Sequence, residues 1–320
     1  MVKTALLFPG QGSQYIGMGK TLFDNFKVVK ELYEEGCDSL SFDIKKISFE
    51  GPLEKLNLTQ NTQPAILTHS IAALRVLETE SEVLNNLNSF IAAGHSLGEF
   101  SALVATKAMS FHDAVKLVSL RGEYMQNACA PGLGTMSAII GIKSEDVQKI
   151  CDEVTMPTSV VVCANFNADT QTVISGHVEA VKKTNEKCIE MGAKVVPLAV
   201  SAPFHSPLMM PASVKLSERL VDLEMQASKF SYIANVDARI YDAGTEGRVI
   251  KENLIKQVFS SVRWLETMNK FNSLNLSGAI ELGPGRVLTG LLKKSNRKLP
   301  CKNIDTLETV KQFLENKDGV

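Results

Sequence analysis

No stretch of this chain restricts its fold as much as Ser89-Phe90-Ile91-Ala92-Ala93, which stops at Gly94-His95-Ser96-Leu97-Gly98 and resumes as Glu99-Phe100-Ser101-Ala102-Leu103-Val104. A short apolar run without polar alternation is the pattern of a strand buried on both faces, and the residues after the turn read as a helix start. Side chains at the two glycines would collide with the adjoining strand and helix. Strand, tight turn and helix in this order predict a parallel sheet covered by helices on both sides, hence an α/β fold. The G-x-S-x-G spacing also has a chemical reading: a serine hydroxyl projected at the carboxyl edge of the sheet, beside the free amides of a helix N-terminus. A serine in an ordinary turn is the plainer alternative.

Other segments agree with that frame. The run from Ala5 to Phe8, ended by Pro9-Gly10, predicts a second buried strand. Helices are expected from about Gly19, over 64–77 and from about Val287, the last after a strand at 278–282 and a Gly283-Pro284-Gly285 turn. Between about Gly134 and Pro197 the rhythm changes. Strands are expected at 135–140, 159–164, 171–175 and 194–197, with helices over 144–153, capped by Ser144, and 178–191. This strand-helix-strand-strand-helix-strand order is that of a ferredoxin-like module. The expected architecture is therefore α/β: an α/β-hydrolase-like large domain with a parallel central sheet over 1–130 and 200–320, plus an inserted small ferredoxin-like α+β domain over 131–199.

Composition narrows the function classes. A chain of 320 residues, 44% hydrophobic and 22% charged, is that of a globular protein with one large core, or a large and a small one. A formal net charge of -1 provides no global field for a nucleic acid, so any charged partner must meet a local patch. The six cysteines are widely spaced without a CxxC pair and read as reduced thiols, with no metal site. The stretch from Val2 to Phe8 is too short for a signal-peptide core and nothing approaches a membrane span, so a cytoplasmic protein is expected. Two nucleotide motifs fail on inspection. Tyr15 stands where a dinucleotide fingerprint beginning at Gly10 needs its third glycine, and Gln14 where a P-loop ending at Gly19-Lys20-Thr21 needs its first.

A serine hydroxyl needs a base within hydrogen-bond reach to attack near neutral pH. The chain has five histidines. His95 adjoins Ser96 and points away from its hydroxyl, so it reads as structural. His69 falls in the 64–77 helix pattern, His112 near a helix start after Ser110, and His177 at another helix start; all three read as surface or cap positions. His205, in the proline-bounded loop Ser201-Ala202-Pro203-Phe204-His205-Ser206-Pro207, is the best candidate. Its ring could be oriented by Glu99, Asp169 or Asp237 through the fold, or by a backbone carbonyl.

Together, Phe8-Pro9-Gly10-Gln11-Gly12-Ser13-Gln14, Gly94-His95-Ser96-Leu97-Gly98-Glu99, Leu120-Arg121-Gly122 and Ala202-Pro203-Phe204-His205-Ser206 resemble the malonyl-CoA:acyl carrier protein transacylases of type II fatty acid synthesis. The resemblance implies Ser96 as nucleophile and His205 as base, its ring held by the main-chain carbonyl of Gln257. It also implies an oxyanion hole from the amides of Gln11 and Leu97. Arg121 fits physically, since a planar guanidinium grips a free carboxylate through two parallel bonds that an uncharged acyl chain cannot use. Phe204 resembles the residue of malonyl-specific members, where a smaller one goes with methylmalonyl. The implied substrates are malonyl-CoA and phosphopantetheinylated acyl carrier protein, with no permanently bound cofactor. A monomer is expected, although the sequence itself leaves the oligomeric state open. Carrier proteins of this type are acidic, and Arg286, Lys293, Lys294, Arg297 and Lys298 are the expected docking patch. The competing readings are a serine esterase or thioesterase, and a catalytically silent carrier-binding protein.

Overall fold

Two strands without polar alternation, β1 (Thr4–Phe8) and β2 (Phe90–Gly94), run parallel in one sheet, with Thr4 opposite Phe90 and Phe8 opposite Gly94. The computed structural model describes residues 4–200 and 202–315; Val2 and Ser201, named above, lie outside them. The remaining strands are β3 (Gly134–Ile140), β4 (Val161–Ala168), β5 (Gln171–His177), β6 (Lys194–Pro197), β7 (Ser231–Ile233), β8 (Ile240–Tyr241), β9 (Gly278–Leu282) and β10 (Cys301–Ile304). The larger sheet has the order β10-β9-β1-β2-β7-β8, and only β8 runs antiparallel to its neighbour.

Every residue of β1 and β2 is buried because both faces of this sheet are covered. Leu6, Phe8 and Ala92 enter the core on one side, whereas Ala5, Leu7, Ile91 and Ala93 pack with Trp264 and Met268 on the other. The two-residue repeat of a strand sends neighbours to opposite faces, so β1 and β2 are apolar on both, apart from Thr4 at the start of β1.

The second sheet is antiparallel throughout, in the order β4-β5-β3-β6. Its helices, Ser144–Val154 and Val178–Glu190, bury one face around Ile139, Cys151, Val161, Cys163, Ile174 and Cys188. Element order and strand order together are those of the ferredoxin-like module. Its opposite face, through Met136, Ala138 and Val173, joins the core of the larger sheet. The fold is thus α/β with a parallel-rich central sheet and a separate antiparallel one. All six cysteines are free, and among the described residues no helix is long and apolar enough to cross a membrane.

Some local expectations change. Ser144 does not cap its helix: Lys143 holds that position, and the buried Ser144 hydroxyl instead donates to the carbonyl of Ala168 at 3.0 Å. The helix expected over 64–77 runs from Thr59 to Glu80 with Pro64 inside it. Proline at that position leaves the Gln60 carbonyl without its helical donor, and the Ser119 hydroxyl supplies one at 3.1 Å. The strand expected over 159–164 begins at Val161 and continues to Ala168.

Candidate active site

Ser96 is the residue before the helix Leu97–Ala105, with φ 51° and ψ -104°. An L-residue holds such a backbone only where its surroundings over-determine it. Here they do. The His95 amide donates to the Phe8 carbonyl at 3.0 Å. Asn235, just past β7, accepts from the Ser96 amide at 2.6 Å and donates to the Gly94 carbonyl at 2.7 Å. A Cβ at Gly98 would strike the Phe8 carbonyl, so strand β1 and the helix can approach only because that position is bare.

The turn aims the Ser96 hydroxyl at His205, whose Nε2 lies 2.7 Å from Oγ. His205 itself has φ 56° and is buried. Its Nδ1 faces two carbonyl oxygens, Gln257 at 3.0 Å and Ser260 at 3.2 Å. Since carbonyls only accept, they hold the ring proton on Nδ1 and leave the Nε2 lone pair for the serine. Burial, and secondarily the charge of Arg121, push the imidazole down to about 3, so the ring is neutral near pH 7. None of the three carboxylates considered from the sequence orients it. Glu99 accepts from the Asn235 amide and the Gln257 side chain, and Asp237 from the Arg239 amide and the Tyr241 hydroxyl. Asp169 uses its carbonyl for the Ser144 amide.

Arg121 enters the same place from the helix Phe111–Gln126. Its guanidinium is buried over the Phe100 ring, at 5.3 Å from the centroid. Nη1 donates to Gln63 Oε1 at 2.8 Å, and Nη2 to Gln257 Oε1 at 2.9 Å and to Ser96 Oγ at 3.1 Å. Nε is buried with no acceptor among the described residues. Glu99 lies behind this cluster, its carboxyl raised to about 7 by burial against the opposing pull of its hydrogen bonds and of Arg121. Burial also lowers Arg121 to about 10, with Glu99 opposing. The Gln257 amide joins the parts, donating to the Ser96 carbonyl at 2.9 Å and to Glu99 Oε2 at 2.7 Å.

The other histidines are elsewhere. His95 turns to Asn167, with Nε2 and Oδ1 2.8 Å apart, and leans on Trp264. His69 is no surface or cap residue: it is fully buried and meets Asp305 at 2.8 Å, because its helix is enclosed along most of its length. His112 is exposed in a first helical turn, and His177 precedes a helix and accepts from the Val160 amide.

A space of about 110 Å³ opens over Ser96 between the two sheets. Gln11, Gln63, Leu97, Arg121 and Met125 line one side, Met136, Asn165, Leu198 and Val200 the other, with Phe204 and His205 closing it. The amides of Gln11 and Leu97 donate to no group among the described residues. Sequence reading missed Gln63, Asn235, Ser260 and the place of Glu99. Only Asn235 carried a signal, as a polar residue at the carboxyl end of an apolar strand, where sheets of this kind put their sites. Arg286, Lys293, Lys294, Arg297 and Lys298 are all exposed on and beyond the helix Val287–Ser295. Arg286 and Lys293, with Lys302, border a second cavity of about 240 Å³.

A hydroxyl facing a neutral imidazole, free amides beside it and a buried cation on the same oxygen are parts for acyl transfer through serine. The acyl transferase domain model matches residues 5–317. A malonyl CoA-acyl carrier protein transacylase of Bacillus subtilis is 45% identical over 98% of this chain and 97% of its own length. The chain belongs to the malonyl-CoA:acyl carrier protein transacylase family of acyltransferases. Solved relatives in that family agree. An acyl-carrier-protein S-malonyltransferase from Burkholderia pseudomallei superposes with a TM-score of 0.91 at 40% identity, covering 98% of this chain and all of the other. A malonyl-transacylase solved in complex with a type II PKS acyl-carrier protein gives 0.91 at 38% identity, covering 98% of this chain and all of the other.

Proposed function

We propose that this chain transfers malonyl from malonyl-CoA to the phosphopantetheine thiol of an acyl carrier protein through a malonyl ester on Ser96. The observation that carries this is the convergence on Ser96 Oγ of His205 Nε2 at 2.7 Å and Arg121 Nη2 at 3.1 Å. One supplies a base; the other supplies a cation that a plain esterase does not need.

Malonyl-CoA enters with its carboxylate on Arg121, which swings toward that stronger acceptor and releases the serine oxygen. Ser96 attacks the thioester carbonyl as its proton passes to His205 Nε2. The amides of Gln11 and Leu97 stabilise the oxyanion, and CoA departs as a thiol with the proton from His205. The carrier's thiol then gives its proton to His205 and attacks the ester, restoring the serine hydroxyl as malonyl leaves. The carbonyls of Gln257 and Ser260 support the imidazolium formed in each step, the role a carboxylate has in other triads. Phe204 crowds the place of an α-methyl substituent, and the exposed cations from Arg286 to Lys298 receive the acidic carrier. The turn before Arg286 packs on Pro9 and Ser13, close to the Gln11 loop, which favours that placement. Residues 131–199 are proposed as the inserted unit, since that stretch has its own core around Ile139 and Cys151.

Incubation with malonyl-CoA followed by intact-mass measurement tests this. One malonyl increment is expected on the chain and none on Ser96→Ala. No adduct on the unmodified chain, or one that persists in Ser96→Ala, overturns the proposal. Release of the adduct by carrier thiol in preference to water separates transacylase from esterase.

A further inference from the structure

One polar side chain lining the cavity has no task in the mechanism above. Asn165 is 7% exposed, borders the cavity over Ser96, and its amide has no hydrogen-bond partner among the described residues. Its near neighbour Asn167 is engaged, bonding His95 at 2.8 Å. A buried carboxamide facing a cavity with donor and acceptor both free is uncommon unless a ligand completes it.

Strand irregularity puts it there. In regular β4, Cys163 and Asn165 would face the same side, toward the small sheet's own helices. The pairing with β5 shifts between them, so that Cys163 lies opposite Ile174 and Asn165 opposite Val173. Ile174 belongs to the helix-covered core of the small sheet, whereas Val173 belongs to the core shared with the larger one. Directly opposed residues share a face, so the bulge turns Asn165 to the cleft. The strand is also tied there, as Phe166 N donates to the Val262 carbonyl at 3.0 Å, two residues beyond Ser260, which faces His205. The other cavity residues of β3 and the segment after β6, Met136, Leu198 and Val200, are apolar. A single fixed polar group in an apolar wall orients a ligand instead of merely solvating it.

The ligand chemistry follows from what the opposite wall leaves unclaimed. With the malonyl carboxylate on Arg121 and the thioester carbonyl on the two amides, the acyl part has only a methylene left. The next polar group along the substrate is the secondary amide two methylenes beyond the sulfur. It presents one N–H and one C=O, the complement of a carboxamide.

We propose that Asn165 is a binding residue for the first amide of the pantetheine arm, and so makes the site selective for pantetheine thioesters shared by CoA and carrier protein. This rests on the malonyl-transfer reading above.

The test compares malonyl-N-acetylcysteamine, which has that amide, with S-pentyl malonyl thioester, in which carbons replace it, as donors to Ser96. On the unmodified chain the amide thioester should be favoured in kcat/KM by about 10-fold or more. Asn165→Leu should lose at least that factor with the amide thioester and stay within about two-fold with the pentyl one, so that the preference disappears. Asn165→Ser, which removes volume without adding apolar bulk, should give the same loss of preference if the leucine variant folds poorly. Equal losses on both donors, or no loss on either, overturn the subsite while serine malonylation by the unmodified chain still stands. Failure of the unmodified chain to accept malonyl from malonyl-CoA itself overturns the transfer reading and this inference with it.

Discussion

Arg121 donates to Ser96 Oγ at 3.1 Å, the same oxygen that engages His205. The guanidinium donates to Ser96, Gln63 and Gln257, three neutral acceptors, each weaker than a carboxylate. Under the proposed transfer, a substrate with an anionic tail would displace the weakest of these contacts and free the hydroxyl. Substrate selection and nucleophile release would then be one event.

Replacing Arg121 by lysine should therefore be costly. A point charge cannot reach a carboxylate, Gln63 and Gln257 in one plane. Loss of charge-assisted bonds worth about 1.5–3 kcal/mol predicts about 10- to 100-fold lower kcat/KM for malonyl-CoA in Arg121→Lys. Serine acylation kinetics check this, and an unchanged rate would refute it.

His205 sets the pH response. Its ordinary value of 6.5 falls to about 3 on folding, through burial first and Arg121 second. An unfolded chain binds the proton more readily, so the neutral buried ring contributes stability above about pH 6.5, lost as pH falls toward 3. The base form is already present near neutrality. Acylation kcat/KM should show no acid limb at 6.5 and stay nearly flat down to about pH 5. In kcat the limb should move upward, because bound malonyl neutralises Arg121. An acid limb near 6.5 in kcat/KM would refute this.

Asn235 holds the strained turn from outside. Its side chain satisfies the Ser96 amide and the Gly94 carbonyl, and it is 1% exposed. Asn235→Ala strands two buried backbone groups and should destabilise the chain by about 2–4 kcal/mol. Denaturant midpoints measure the stability, and kcat should fall with it as Ser96 loosens. A change below about 0.5 kcal/mol would show that the turn stands without this residue.

Phe204 is buried against the cavity. Phe204→Ser should raise kcat/KM for methylmalonyl-CoA relative to malonyl-CoA by about 10- to 100-fold, the range a hydrophobic pocket achieves for one methyl. Competition between the two thioesters, read by mass of the acyl-enzyme, gives the ratio directly.

Charge reversal at Arg286 and Lys294 should slow transfer to the acyl carrier protein about 10-fold at low salt and less at high salt, leaving acylation by malonyl-CoA unchanged. Equal loss in both half-reactions would count against docking at this surface.

Much of this protein is local in sequence. The buried strand and bare glycines around Ser96 determine a strand-turn-helix unit, because periodicity and backbone sterics act over a few residues. The alternation between 134 and 197 determines the small module for the same reason. The extent of β4 and the freedom of Ser144 from capping were not legible, since both depend on the β4–β5 turn packing over a helix start.

The site is another matter. Ser96, Arg121, His205, Asn235 and Gln257 span more than half the chain, and only the packing of helices and loops around the larger sheet brings them within hydrogen-bond reach. Composition and motif nominate a serine, a histidine and an arginine. They do not say that carbonyls of Gln257 and Ser260 replace an acid, that Asn235 pins the turn, or that a shifted pairing in β4 turns Asn165 inward. Those outcomes depend on which backbone groups remain unpaired after the sheets close, and that is known only once every long-range hydrogen bond has found its partner.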